Sequence, residues 1–593
     1  MAQVRGTQGR KLFRIEKWLG LNENQDGEAM LNMGEAAVMH NWRVTREGSL
    51  QIRPGYAPMC TITADAPVKG LWTGYVAGSL HTLALCGGHV WDLNPGTTGW
   101  TATDLGAVQG ENAFFFGFSQ RVYLLTGAGY YRWDGTGTVS SVEGYIPLVA
   151  CATPPEGGGT LLEGVNKLNG KRRQRFSPDG TTATFQLAEQ AVDAVLSVEG
   201  STLSWTANTT AGTVTFASPP AKGVDTITIT WQKGTGDRSK ITAMRFAEFY
   251  NGQSDTRVFL YGDGTNAAVY SGLDENGSPT AEYFPDLNVM AVDSENTPIT
   301  AMVRHYDRLI TFKSDGAFST EYDVLSLSDG TAAAAFYTTP LNREIGCAAP
   351  GQARLVNNNP RTLFGRAVYE WPLVYGANRD ERNAQRISDR VERTLNTFRL
   401  DQAITFDDEE RQEFYIIWSG QALVHHYGNN TWYYYNHVPI RSMTCRDGEI
   451  YFGSEDGRLM HFSRAYRNDD LEEIPAYWES GAMDFEKDWR RKYSGVLWVS
   501  LKPESQTNVS ITVQSNLKSQ YPVKRLVSGF ATMVNVDFAH WSFGTNRKPQ
   551  VHRVRIKVKK ATFYKLIFSS QSASATATIL AADLQIRYTG AVK

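Results

Sequence analysis

The sequence predicts an all-β protein: an irregular β-propeller of about seven hairpin-based units, with an N-terminal arm, an inserted β-sandwich domain and a C-terminal β-sandwich domain. Three observations carry that expectation. A strand, a Gly turn and an aromatic-rich strand recur, as in Arg121–Trp133 (RVYLLTGAGYYRW), Thr256–Tyr270 (TRVFLYGDGTNAAVY), Arg308–Tyr322 (RLITFKSDGAFSTEY) and Glu449–Phe462 (EIYFGSEDGRLMHF). Apolar and polar residues alternate on both sides of each turn, which is a hairpin pattern. Aromatics at 12% and 54 glycines suit many strands joined by many turns.

Read in order, residues 1–60 form an extended arm. Its first dozen residues are basic and polar, and Gly34–His40 (GEAAVMH) reads as a short helical turn. Asn41–Tyr56 (NWRVTREGSLQIRPGY) is a hairpin turned at Glu47-Gly48. Pro54 ends the pairing because it has no backbone donor. Residues 61–152 hold the first propeller units, including Gly70–Leu93 and Phe114–Trp133. Thr153–Gly159 (TPPEGGG) breaks the pattern, and residues 153–239 read as short strands of an inserted sandwich. Residues 240–474 resume the hairpins, with units at Ile241–Gly272, Ile299–Tyr322, Arg354–Tyr375, Ile404–Tyr435 and Ile440–Phe462. Within them Ala377–Leu395 is helix-like, with a narrow stripe of Ile387, Val391 and Leu395. Residues 475–593 alternate as a second sandwich, from Tyr477–Phe485 through Thr532–Phe538 to Ala582–Tyr588.

The size and charge exclude several classes. At 593 residues the chain exceeds one compact domain. A net charge of −2 is unlike a general nucleic-acid coat. Cys60, Cys86, Cys151, Cys347 and Cys445 are scattered and form no CxxC pair, as in small buried side chains of a chain made in a reducing cytoplasm. The first twenty residues lack a signal-peptide core, and no stretch reaches a membrane span.

No nucleophile–base set, metal cluster or phosphate loop is found, so no catalytic residue, metal ligand or cofactor is expected. Gly262-Asp263-Gly264 and Asp315-Gly316 are hairpin turns and lack the ligand density of a calcium loop. His425-His426 are neighbours on a strand, so their side chains point to opposite faces. Asp407–Glu410 is read as an exposed acidic turn. Trp371 and Trp432 are blade-core aromatics or, alternatively, a glycan platform. Lys171, Arg172 and Arg173, with Arg175, form the densest basic cluster, read as a solvated loop or a salt-bridged subunit contact, with a phosphate-facing role as the alternative.

The Asn41–Tyr56 stretch has the form N-x-R-x-x-x-x-G-x-L-x-x-R-P-G-Y, with Asn41, Arg43, Gly48, Leu50, Arg53, Pro54, Gly55 and Tyr56 in the fixed places. It resembles the N-terminal arm of the tail nozzle, or tail tube B, proteins of short-tailed phages, where such a stretch leads into a β-propeller. The chain is also similar to packaged-DNA stabilisation and tail hub proteins. Ile387–Val391 resembles their link between propeller halves, and Tyr477–Phe485 resembles their lead-in to a C-terminal β domain.

The resemblance implies a structural protein of the virion tail, made in the host cytoplasm and not an enzyme. It implies a homo-oligomeric sixfold ring below the portal and tail adaptor, contacting tail fibres or tailspikes. Genomic DNA would be retained and then conducted through its lumen. Asn41, Arg43, Arg53, Pro54 and Tyr56 are then candidate assembly residues, as are Lys171, Arg172 and Arg173. A tail-tip or baseplate component of a long-tailed phage and a host-surface carbohydrate-binding propeller are the alternatives.

Overall fold

The computed structural model describes residues 9–24, 31–97, 99–326, 332–372, 383–504, 506–519, 521–528 and 549–592. The protein is all-β, built from many small sheets. It divides into two compact units. The first comprises Met1–Pro67, Gly365–Tyr369 and Arg386–Lys593; the second comprises Val68–Phe364 and Glu370–Gln385.

In the second unit four antiparallel sheets of four consecutive strands follow the hairpin pattern. They run from Val68 to Ala107, Phe114 to Ser141, Phe246 to Ala291 and Ile299 to Asn342. The hairpin Arg354–Val356 with Asn359–Phe364 comes next. Tight two-residue turns set the register. Val76 pairs with Ser79 across Ala77-Gly78, and Phe118 with Arg121 across Ser119-Gln120. Both central residues have positive φ in each turn, the twist that matches a right-handed hairpin. The Gly turns legible in the sequence are looser links one strand later: Thr126–Gly129 joins Arg121–Leu125 to Tyr130–Trp133. Alternate side chains from successive sheets then share cores, such as Leu83, Leu85, Val122, Leu124 and Trp133.

The inserted domain is two sheets around one core. A five-stranded sheet orders Thr160–Leu161, Leu148–Thr153, Lys171–Phe176, Ile227–Gln232 and Ala194–Glu199. A three-stranded sheet orders Thr184–Gln186, Thr213–Phe216 and Trp205–Asn208. Phe176, Phe185, Val214, Phe216, Ile229 and Trp231 fill the space between them. The domain starts at Leu148, a strand before the Pro/Gly-rich break that marks it in the sequence.

In the first unit the four-stranded sheet Ile404–Asn436 is continuous in sequence. The next, Ile440–Ser463, supplies three strands, and its fourth is Gly55–Thr61 from the other end of the chain. Two six-stranded sheets complete the unit, and both borrow N-terminal strands. One orders Trp42–Val44, Leu50–Ile52, Thr578–Ala591, Arg490–Leu501 and Gln550–Ala561, with Lys11–Ile15 also on Thr578–Ala591. The other orders Gly20–Leu21, Glu35–His40, Ala476–Ser480, Tyr564–Ser570, Thr507–Ser515 and Lys524–Ser528. Trp18 meets Trp478 edge-on at 4.9 Å in the core.

Three expectations are corrected. Residues 1–60 are not an extended arm where described: residues 11–61 contribute strands to three sheets. Glu35–His40 is a strand, not a helical turn, because pairing with Ala476–Ser480 outweighs the local helical preference of Ala and Met. Nor is Ala377–Leu395 one helix. Residues 377–382 lie outside the described residues, Asp389–Val391 is a 3-10 turn and only Glu392–Leu395 is α-helical. The strand expected at Thr532–Phe538 also lies outside the described residues.

Candidate functional site

The residues of the Asn41–Tyr56 motif converge in the first unit on a buried polar network. Arg53 follows the short strand Leu50–Ile52, and its side chain is fully enclosed. Its guanidinium uses all five donors. Nε donates to Asn41 Oδ1 at 2.9 Å, and Nη1 donates to Pro54 O and Asp469 Oδ1, both at 2.9 Å. Nη2 donates to Asn436 O at 3.1 Å and to Asp469 Oδ2. A buried guanidinium is tolerated only when paired and saturated with acceptors, and this one is. Asp469 is itself buried, and that burial holds its carboxyl above the usual range even against the Arg53 charge.

Asn41 is the second node. It sits at φ +58, a conformation that Asn tolerates better than most residues. Its side-chain amide donates to Pro475 O at 2.9 Å and to Asn436 Oδ1. Its Oδ1 accepts the Asn436 backbone N–H at 3.0 Å. Gly55 follows Pro54 where a Cβ would stand 2.0 Å from Asn468 O, so the glycine permits backbone contact. The Tyr56 hydroxyl donates to His437 O at 3.1 Å, and its ring meets Phe452 edge-on.

Arg43 forms a separate buried pair. Its Nη1 lies 3.3 Å from Glu413 Oε1, with both side chains nearly fully enclosed. Tyr433 and Tyr415 hydroxyls donate to the two Glu413 oxygens at 2.7 and 2.6 Å. Burial alone pushes the Glu413 carboxyl up. The Arg43 charge and the two hydroxyls outweigh it, and the group sits below its ordinary value.

These positions correct the expectation that Asn41, Arg43, Arg53, Pro54 and Tyr56 are assembly contacts. They are buried within one chain, and their partners lie within the same unit. Asn436 and Asp469 complete the network and Glu413 the separate pair, and sequence reasoning missed all three. Each stands hundreds of positions from its arginine or asparagine partner, and no local pattern marks it.

The arginines of the basic cluster are neutralised in place. Arg172 Nε lies 2.7 Å from Glu189, while Arg173 and Arg175 share Glu275 at 3.6 and 3.0 Å. Lys171 pairs in register with Gln232. Trp371 is buried and donates to Thr362 at 2.9 Å; Trp432 is buried with its ring stacked on His425 at 4.5 Å. Neither tryptophan presents a face to a glycan. His426 is buried as well, and burial holds its imidazole below the usual value. Asp408, expected on an exposed acidic turn, is buried beside Arg411 at 3.0 Å. Of the five cysteines expected to be buried, Cys86 and Cys347 are, Cys60 and Cys151 are half-buried and Cys445 is exposed.

Among the described residues, no three His, Cys, Asp or Glu side chains are placed to hold a metal ion. No described helix is long and apolar enough to cross a membrane. A cleft of about 730 Å³ opens in the first unit beside the network, lined by His40, Asn436, Tyr477, Asn508, Arg525 and Ser569.

No family model matches the chain, and no curated protein does. Among solved structures it is similar to the computationally designed Ika8 protein at 10% identity and a TM-score of 0.32, covering 68% of this chain and 99% of that one. The extracellular domain of a one-component system from B. thetaiotaomicron matches at 8% identity and a TM-score of 0.19, covering 88% of this chain and 81% of that one. An exo-beta-1,3-galactanase from Phanerochaete chrysosporium matches at 10% identity and a TM-score of 0.17, covering 83% of this chain and 98% of that one.

Proposed function

We propose that the chain is a structural subunit of a phage tail, a rigid nozzle or hub protein that assembles into a ring around a DNA channel. The observation that carries this reading is the use made of the Asn41–Tyr56 motif. The residues that give the chain its resemblance to tail nozzle proteins are spent on tying the N-terminal strands to Asp469, Asn436 and Glu413. Such a tie suits a subunit that must hold its shape under load and has no need to open around a substrate.

The sheet pattern supports a seven-bladed propeller as the body. The four sheets of the second unit and the two of the first provide six blades. The strands from Arg354 to Phe364, followed by Ala367–Glu370, provide the remaining one. In this reading the Gly55–Thr61 strand closes the last blade on Arg458–Ser463 and fastens the two ends of the repeat together. The role is non-enzymatic. Ring contacts fall on the inserted domain and other exposed surfaces, because the motif itself is used up inside the subunit.

Mass spectrometry and negative-stain imaging of purified virions test the reading. The expected result is this chain in the tail as a ring of identical copies. Its absence from virions, or its recovery there as an isolated monomer, would overturn it.

A further inference from the structure

The strand Gln550–Ala561 (QVHRVRIKVKKA) carries a feature that the tail reading does not use. Val554, Ile556 and Val558 point into the core, while Arg553, Arg555, Lys557 and Lys559 alternate with them on the exposed side. Lys560 is exposed too. Among the described residues, no carboxylate lies within ion-pair distance of any of these five cations, whereas Arg172, Arg173 and Arg175 each have one. The contrast is sharp in a chain whose net charge is −2.

The carboxylates nearest the row on this sheet lie two strands away, at Arg14. Trp498, half-exposed, stands directly opposite Arg553 on the neighbouring strand. Beyond it lies Asp583, and beyond Asp583 lies Arg14, whose Nε is 3.7 Å from that carboxylate. Arg587 is exposed on the Asp583 strand. Asp583 and Glu16 thus share Arg14, and among the described residues neither is paired with the row of cations.

We propose that this sheet face is a sequence-independent binding surface for the phosphate backbone of nucleic acid. Same-side residues on a strand are about 6.8 Å apart, twice the axial spacing of about 3.4 Å between phosphates along one strand of a duplex. That spacing holds from Arg553 to Arg555; bulges at Lys557 and Lys560, both at positive φ, then bend the strand, so the cations form a kinked row of exposed charge along one face. Trp498 at its flank offers a ring on which a base can stack. A bilayer is the poorer fit, because membrane-surface binding requires large apolar side chains among the cations and the row holds only Val551 at its start. Charged edge strands also guard against aggregation, but that role predicts no salt-dependent ligand. The inference stands apart from the ring reading and is decided on the purified full-length chain alone.

The test is fluorescence anisotropy with a short labelled single-stranded DNA and with the duplex of the same sequence. Binding should be indifferent to sequence and weaken roughly 100-fold between about 50 and 200 mM salt if four phosphates are neutralised. Replacing Arg553, Arg555, Lys557 and Lys559 together by Gln should abolish most binding and reduce the logarithmic salt slope by about 3.6 for the duplex. The pair Arg555→Gln with Lys557→Gln should reduce it by about 1.8 and serves if the fourfold variant fails to fold. Trp498→Leu should weaken single-strand binding more than duplex binding. Replacing Arg173 and Arg175 by Gln should leave the slope unchanged. No binding of either DNA at low salt would overturn the proposal. So would a slope unchanged in both Gln variants, or equal binding to phosphatidylserine vesicles or polyglutamate.

Discussion

Two sets of arginines in the first unit mark opposite uses of one side chain. Arg43 and Arg53 are enclosed, each against a buried carboxylate, and Arg53 has every donor occupied. Arg553 and Arg555 stand exposed on a strand, with no carboxylate at ion-pair distance among the described residues. The first pair holds the subunit together, and the second leaves its charge available to a partner. The difference lies in what the fold brings to each: Asp469 reaches Arg53 from 416 positions away. A charge already neutralised inside the chain contributes shape, and only an unneutralised one contributes a long-range field.

The largest effect expected from this comparison follows Asp469→Ala. It leaves a buried guanidinium without its counter-charge and should cost about 3–5 kcal/mol in urea unfolding of the full chain. Replacing Arg53 by Met and Asp469 by Leu together should recover most of that loss, because the pair also bears a desolvation cost. A loss under about 1 kcal/mol for Asp469→Ala would mean that the network is not the tie described.

Gly55→Ala comes next. Its new methyl meets a backbone oxygen that no rotamer change can move, so it should lower the thermal midpoint clearly. Gly590→Ala, where nothing stands within 4 Å, is the control and should leave the midpoint in place.

Two glutamates sharpen the comparison by their response to pH. Glu413 sits below its ordinary value of 4.5, so its contribution is present above that pH and is lost as pH falls through the lowered folded value. Half-buried Glu248, in the second unit, is pushed up to about 7, chiefly by burial. Its contribution runs the other way: it is present below 4.5 and is lost as pH rises through about 7. Glu413→Gln should therefore flatten the acid limb of the stability profile, and Glu248→Gln the limb between those two values. Denaturant midpoints measured across pH check both. An acid limb unaltered by Glu413→Gln would show that the Arg43 pair does not govern it.

The smallest effects belong to the exposed charges. Arg555→Gln and Arg175→Gln should each change stability by less than about 0.5 kcal/mol, since surface pairs and free surface charges contribute little. A larger loss at Arg555 would indicate that the row serves the fold after all.

The candidate site was only half legible in the sequence. The spacing of Asn41, Arg43, Arg53 and Gly55 stands out as a motif, but the same spacing fits an exposed contact and a buried tie equally well. Glu413 was not singled out, Asp469 sits in an unremarkable loop sequence, and burial decides the use of both. The basic row was legible too, as R-x-R-x-K-x-K over Arg553–Lys559. It is easily passed over because alternate spacing looks less dense than the contiguous Lys171-Arg172-Arg173. Yet the contiguous cluster is the one whose arginines are neutralised.

Local pattern alone specifies the all-β class and the hairpins. Alternation and turn chemistry act over a few residues, and they persist in any environment that buries one face. The assembled fold makes Glu35–His40 a strand, completes with the N-terminal strands sheets that lie more than 350 positions later, and sets which cations meet a carboxylate among the described residues. Strand pairing and charge neutralisation between distant segments depend on which edges and carboxylates the fold brings into contact, and no local pattern encodes that meeting.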